Sequence, residues 1–266
     1  MRNFTLGKYI PLDSFMHHLD PRAKIISMFI LMIAIFIPAG FIGYIPITIL
    51  ILAAIFASRL KFSVLWNSMK PMFFMLGFLF VINLLVVHTG DVFLTIGPIE
   101  LYTGAVSQTG YIVIRLVLMI LITTLLTATT KPLDLTIALE DIMTPLKKVG
   151  FPAHEIAMII SIALRFIPTL IEETQRIIKA QSSRGVDLEE GKLMEKIMAV
   201  LSLIVPLFVS AYQRAEELAN AMEARGYIPD RERTRYRQLK MIGKDYMVLT
   251  LCMLILIFVI GLMIWL

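Results

Sequence analysis

The chain of 266 residues is 58% hydrophobic and only 17% charged, with a mean hydropathy of +0.81. Water-soluble domains average roughly half apolar and about a quarter charged, so an ordinary soluble fold is excluded and lipid is the implied surrounding. The single cysteine, Cys252, excludes an intrachain disulfide or a cysteine-built metal site, and the net charge of +5 matters less than where its charges fall.

Residues 1–23 form a polar arm carrying Arg2, Lys8 and Arg22, with Lys24 directly behind, which predicts a cytoplasmic N-terminus and no cleavable signal peptide. Ile25 to Ala57 then runs without a charge and is too long for one span of about 20 residues. Pro38, Gly40, Gly43 and Pro46 break it, predicting spans over 24–39 and 43–58, both short enough to require tilt or local thinning of the bilayer. Arg59, Lys61 and Lys70 mark an inner return loop before a third span over 71–88. The next loop holds Asp91 and Glu100 without Lys or Arg, as suits the outside, and a fourth span covers 106–128. It contains Arg115, which is either functional, as charges inside spans usually are, or close enough to the outer end to snorkel.

No 18-residue stretch between Lys131 and Asp245 is free of charge, whereas 246–266 is an apolar final span. The expected architecture is therefore an all-α integral membrane protein. It has a four-span region over 24–130, a cytoplasmic or interfacial insertion over 131–245 and a C-terminal helix over 246–266. Five spans put the C-terminus outside.

The insertion divides at its prolines and glycines into three helices. The first, Lys131–Gly150, opens with Pro132 and spaces Leu135, Leu139, Ile142, Leu146 and Val149 along one face. The second runs from Pro152 to Ser183 and the third over about 190–225. Each of these two starts apolar, passes a proline (Pro168, Pro206) that should bend it, and finishes amphipathic. Both end on A-x-x-x-R-G, with Arg184 and Arg225 41 positions apart. Gly after the last turn suits a left-handed helix stop, and Arg there meets the negative end of the helix dipole. Capping alone explains each tip; their repetition, on helices with broad apolar surfaces, points to an adaptor whose two arginine-tipped rods enter grooves on partners.

These paired tips, the arm reading H-L-D-P-R from His18 to Arg22, and the position of the insertion resemble the T component of energy-coupling factor (ECF) transporters, the EcfT/CbiQ type, over nearly the whole chain. The resemblance implies a non-catalytic subunit of an importer for vitamins or metal ions in a bacterial or archaeal cell membrane. It implies as partners two cytoplasmic ABC-type ATPases, an EcfA-type pair that binds ATP and magnesium, and a substrate-binding membrane S component; no cofactor of the chain's own is implied. Carried over, Arg184 and Arg225 contact the ATPases, with Ser183, Gly185, Ala224 and Gly226 as their small neighbours. Ser183 stands where the family often has Ala.

Two other classes compete. A conventional ABC permease would form the translocation path itself, but it usually offers one principal coupling helix per half. An integral-membrane enzyme would need chemistry that the chain does not display: His17 and His18 are adjacent and point apart, and Asp20-Pro21 reads as a helix start. Glu172-Glu173 and Glu216-Glu217 lie on solvated faces, and no nucleophile-elbow, zincin or Walker pattern occurs. The basic run Arg231, Arg233, Arg235, Arg237, Lys240 and Lys244 fits either positive-inside anchoring or anionic lipid headgroups; nucleic acid is not an expected partner.

Overall fold

The computed structural model describes residues 9–86, 92–96, 99–145, 152–186, 193–228 and 239–265. Its elements are α1 (Phe15–His18), α2 (Pro21–Phe36), α3 (Gly40–Ser58), α4 (Phe62–Val86), β1 (Val92–Ile96), β2 (Ile99–Tyr102), α5 (Thr103–Thr129), α6 (Pro132–Met143), α7 (Ala153–Ser183), α8 (Leu193–Ala224) and α9 (Gly243–Trp265). Six of these, α3, α4, α5, α7, α8 and α9, are long and apolar enough to cross a membrane, so the chain is a helical multi-pass membrane protein. Arg2, Lys8, Asp91, Leu146, Val149, Gly150, Arg231, Arg233, Arg235 and Arg237 lie outside the described residues.

The chain divides into two units, residues 1–149 with 239–266, and residues 150–238. In the first, α2, α3, α5 and α9 meet around Leu31, Ile35, Tyr44, Ile47, Ile51, Leu118, Ile122, Cys252 and Val259. Small residues let the backbones close up. Ala23, Ala34, Ala105 and Ala128 are buried, and a methyl group added at Gly43 would stand 2.9 Å from the Ala39 Cβ. Helix α4 packs on α5 and otherwise presents Phe74, Phe78 and other apolar side chains outward.

Four expectations change. The break between the first two spans is confined to residues 37–39, because Gly43 packs against Ala39 and Pro46 is absorbed inside α3. Helix α4 begins at Phe62, so Lys70 lies on a helix and not in a loop; its side chain is exposed, and a lysine there can extend its ammonium away from the apolar surface. The outer loop holds an antiparallel hairpin, with Thr95 opposite Glu100 and Ile96 opposite Ile99; its strands are rich in the β-branched and aromatic residues that favour a pleated backbone. Helix α6 ends at Met143 and buries Thr136, Ala138 and Glu140 against its neighbours, leaving Leu139 exposed, so the leucine face is not its packed face. That helix packs on α2 within the first unit, although it falls in the 131–245 insertion.

Helix α2 lies where the sequence implied a short span over 24–39, but with 16 residues, about 24 Å of axial rise, it is not among the six helices long enough to cross a membrane. In the second unit, α7 has 31 residues and α8 has 32, and both continue through their prolines. Expected as coupling helices, they are also long and apolar enough to cross a membrane.

Candidate functional site

Both arginine tips end in the same backbone motif. At the end of α7 the amide of Val186 donates to the carbonyl of Gln181 (3.0 Å) and that of Gly185 to Ser182 (3.0 Å), with Gly185 at φ +83°. At the end of α8, Tyr227 donates to Met222 (2.9 Å) and Gly226 to Glu223 (2.8 Å), with Gly226 at φ +72°. These are paired six-to-one and five-to-two bonds closing a helix through a left-handed glycine. A methyl group added at either glycine would meet open space, so the backbone angle, not crowding, requires glycine.

The motif fixes what the arginines do. Arg184 and Arg225 stand between the last helical residue, Ser183 or Ala224, and the glycine, and their side chains are exposed, as are those of Ser183 and Ala224. Among the described residues neither guanidinium has a hydrogen-bond or ion-pair partner within the chain. Each is a charged fork on a rigid corner with small neighbours, free to take a carboxylate or carbonyl from outside. Ser183 turns its hydroxyl back to the Lys179 carbonyl (3.0 Å), so it behaves at the surface as a small residue.

The six tip residues form two corners and not one site. Gln181 Nε2 donates to the Ser202 carbonyl (3.2 Å), and Arg214 lies 3.9 Å from Glu173, which also faces Arg176 (3.7 Å). Going backward along α7 thus goes forward along α8, so the helices run antiparallel. Arg184 lies near the level of Ser202, which places Arg225 about 35 Å further along α8. Helix α8 exposes Met194, Met198, Leu201, Val205, Phe208 and Tyr212 as one apolar stripe.

A second polar cluster, in the first unit, explains the H-L-D-P-R arm. Asp20 caps α2 by accepting the Arg22 amide (2.8 Å), and the Arg22 guanidinium grips the same carboxylate (3.0 Å) and reaches Asp141 of α6 (3.5 Å). Asp245 is 2% exposed and accepts two backbone amides, Asp20 (2.8 Å) and Ile242 (2.7 Å), joining the starts of α2 and α9. Lys24 Nζ donates to the Thr129 carbonyl (3.2 Å) and the Thr130 hydroxyl (3.4 Å) at the end of α5. His17 Nε2 donates to the Ile10 carbonyl (3.0 Å), so its Nδ1 accepts from Ser14 (2.7 Å); burial pushes its pKa down. The motif is a clasp for the helix starts. Sequence reading missed Asp141 and Asp245; a carboxylate in the first turn of α9 was the signal available for the latter. Among the described residues no group of three His, Cys, Asp or Glu could hold a metal ion. Lys240 and Lys244, the described part of the basic run, are exposed.

The family model of CbiQ, described as a cobalt transport protein, matches residues 13–236. The chain is 44% identical over 245 residues to the energy-coupling factor transporter transmembrane protein EcfT of Bacillus subtilis, covering 92% of each. It is 47% identical to that of Macrococcus caseolyticus, over 88% of each, and 40% identical to that of Clostridium kluyveri, over 97% of this chain and 95% of the relative. With a family match over most of its length and relatives this similar nearly end to end, the chain belongs to the CbiQ/EcfT family of energy-coupling factor transporter transmembrane proteins.

Proposed function

We propose that the chain is the T subunit of an ECF-type ABC importer for vitamins or other micronutrients, coupling two cytoplasmic ATPases to a membrane S component. The observation that carries this reading is the repeated exposed Arg-Gly corner at opposite ends of an antiparallel helix pair. One tip serves each ATPase, Ser183-Arg184-Gly185 the first and Ala224-Arg225-Gly226 the second. ATP and magnesium stay on the ATPases; this chain is non-catalytic.

The mechanism follows from rigidity. A capped helix end transmits a push on its arginine along the rod, whereas a frayed end would absorb it. When ATP draws the ATPases together, the grooves carry the tips with them and change the angle between α7 and α8. The apolar stripe on α8 moves with its backbone, and a methionine-rich surface of that kind can repack against an S component that tilts in the membrane. The N-terminal arm is cytoplasmic in this reading and the C-terminus lies outside.

The test is Arg184→Ala and Arg225→Ala, singly and together, in the co-expressed complex, with retained ATPases and substrate uptake into vesicles as readouts. Each single change weakens ATPase retention, and the double change abolishes uptake while the chain still inserts. Unchanged assembly and uptake in the double variant would reduce the tips to helix caps and sink the proposal.

A further inference from the structure

Arg115 sits 12 residues into α5, about 18 Å from its start and about 21 Å from its end. With Pro38 it lines an open cleft of about 590 Å³, whose other walls are Gly104, Ser107, Gln108, Tyr111 and Ile112. That volume is within the roughly 300–1,000 Å³ of small-molecule sites. The α5 residues are spaced three and four apart, so they form one face of the helix. The adjoining face is committed to the protein: Ala105 and Thr109 are buried, and Asn83 donates to the Thr109 hydroxyl (3.1 Å).

The cleft is chemically incomplete. The Arg115 Nε is buried with no hydrogen-bond partner. The only contact seen for the guanidinium among the described residues is the Phe36 ring, 5.3 Å away. Gln108, which is exposed, and Tyr111 show no hydrogen-bond partner among the described residues, while the Ser107 hydroxyl donates to the Gly104 carbonyl (3.0 Å). A charge at this depth of a span needs a counter-charge or a polar path to the surface, and Tyr111, Gln108 and Ser107 form such a path toward the start of α5. Beside the cleft, Phe29, Ile33 and Phe36 of α2 are each more than half exposed, an apolar flank suited to lipid chains.

We propose that this cleft seats the phosphate of a phospholipid headgroup from the leaflet on the β-hairpin side. Arg115 forks onto the phosphate oxygens, Gln108 and Tyr111 donate to the same group, and an acyl chain lies along Phe29, Ile33 and Phe36.

The site is independent of the arginine tips and is tested on the full chain, delipidated in mild detergent, by native mass spectrometry with short-chain phosphatidylglycerol. Arg115→Gln should weaken binding about tenfold or more, the effect of losing a charge-assisted hydrogen bond, and Arg115→Lys should weaken it less. Gln108→Leu leaves the charge in place and should weaken binding several-fold; it decides the question if Arg115→Gln does not fold. Binding by Arg115→Gln equal to the unaltered chain overturns the proposal. So does full displacement of the lipid by excess inorganic phosphate, which would make the cleft a free-anion site, or equal competition by a diacylglycerol, which would leave only the chains recognised.

Discussion

Replacing Asp245 by alanine removes the acceptor for two backbone amides that differ in exposure. The Asp20 amide lies in a residue that is 6% exposed and cannot be rehydrated, whereas Ile242 is 62% exposed and its amide can recover water. An unsatisfied buried donor costs about 1–3 kcal/mol. The first amide therefore costs about 2–3 kcal/mol and the second, once rehydrated, about 0–1, for a total of about 2–4 kcal/mol. Asparagine keeps one acceptor oxygen and turns an N–H₂ toward the other donor, so it should lose about half as much. The chain reports on itself: Cys252 is its single cysteine, is 1% exposed, and lies two turns beyond Asp245 on α9. A thiol-reactive fluorophore added during heating reads its exposure. Release should come at the lowest temperature in Asp245→Ala, then in Asp245→Asn, then in the unaltered chain. Release of Cys252 at one temperature in all three would refute the clasp.

Three further predictions follow from the geometry. Gly185→Ala and Gly226→Ala each place a side chain at positive φ with no steric clash, so each should cost about 1–2 kcal/mol locally. ATPase retention should fall while total helicity by circular dichroism stays unchanged; full retention would show that cap geometry is irrelevant to docking. In a Cys252→Ala background, Gln181→Cys with Ser202→Cys should crosslink within one chain on oxidation, and Gln181→Cys with Ala221→Cys should not; the reverse would refute the antiparallel pairing. His17 has a pKa lowered from 6.5 mainly by burial, so the folded arm resists protonation. Its contribution is complete above pH 6.5 and is lost as pH falls below that value. The Ile10 amide, which donates to the Ala128 carbonyl, should lose hydrogen-exchange protection over that fall, after correction for the intrinsic rate, and should do so less steeply in His17→Gln.

What the sequence revealed and what it hid have distinct physical origins. The tips were legible because helix stops are written in adjacent residues: Gly185 and Gly226 take the left-handed angle wherever the rest of the chain goes. The start of α2 was legible for the same reason, since Asp20-Pro21 caps locally. Asp245 was not, because one of its amide partners is 225 residues away. The hairpin was hidden because the charges of that loop report its side of the membrane, whereas its pleat is written in Val92–Ile96 and Ile99–Tyr102. Helix α6 misled because its leucine spacing advertises a buried face, while its neighbours select the smaller Thr136 and Ala138 for close approach. Local rules identified the exposed Arg-Gly corners and the cap of α2; non-local packing decided how the helix starts are held together.

The ion contact between Glu173 and Arg214 has a further meaning. Glu173 lies 11 residues before Arg184, and Arg214 lies 11 before Arg225, so the two residues occupy equivalent places on their helices. An antiparallel pair touching at equivalent positions has a local dyad through the contact, and rotation by half a turn exchanges the two arginine corners. The prolines do not obey it, standing 16 residues before Arg184 and 19 before Arg225. Nor does the Gln181–Ser202 bond, yet to partners related by a two-fold axis the helix pair would present similar corners at similar reach, about 16 Å on either side of the Glu173–Arg214 contact. Such partners would meet one recognition problem solved twice, and an asymmetric membrane subunit could be driven by a nearly symmetric motor without either losing its geometry.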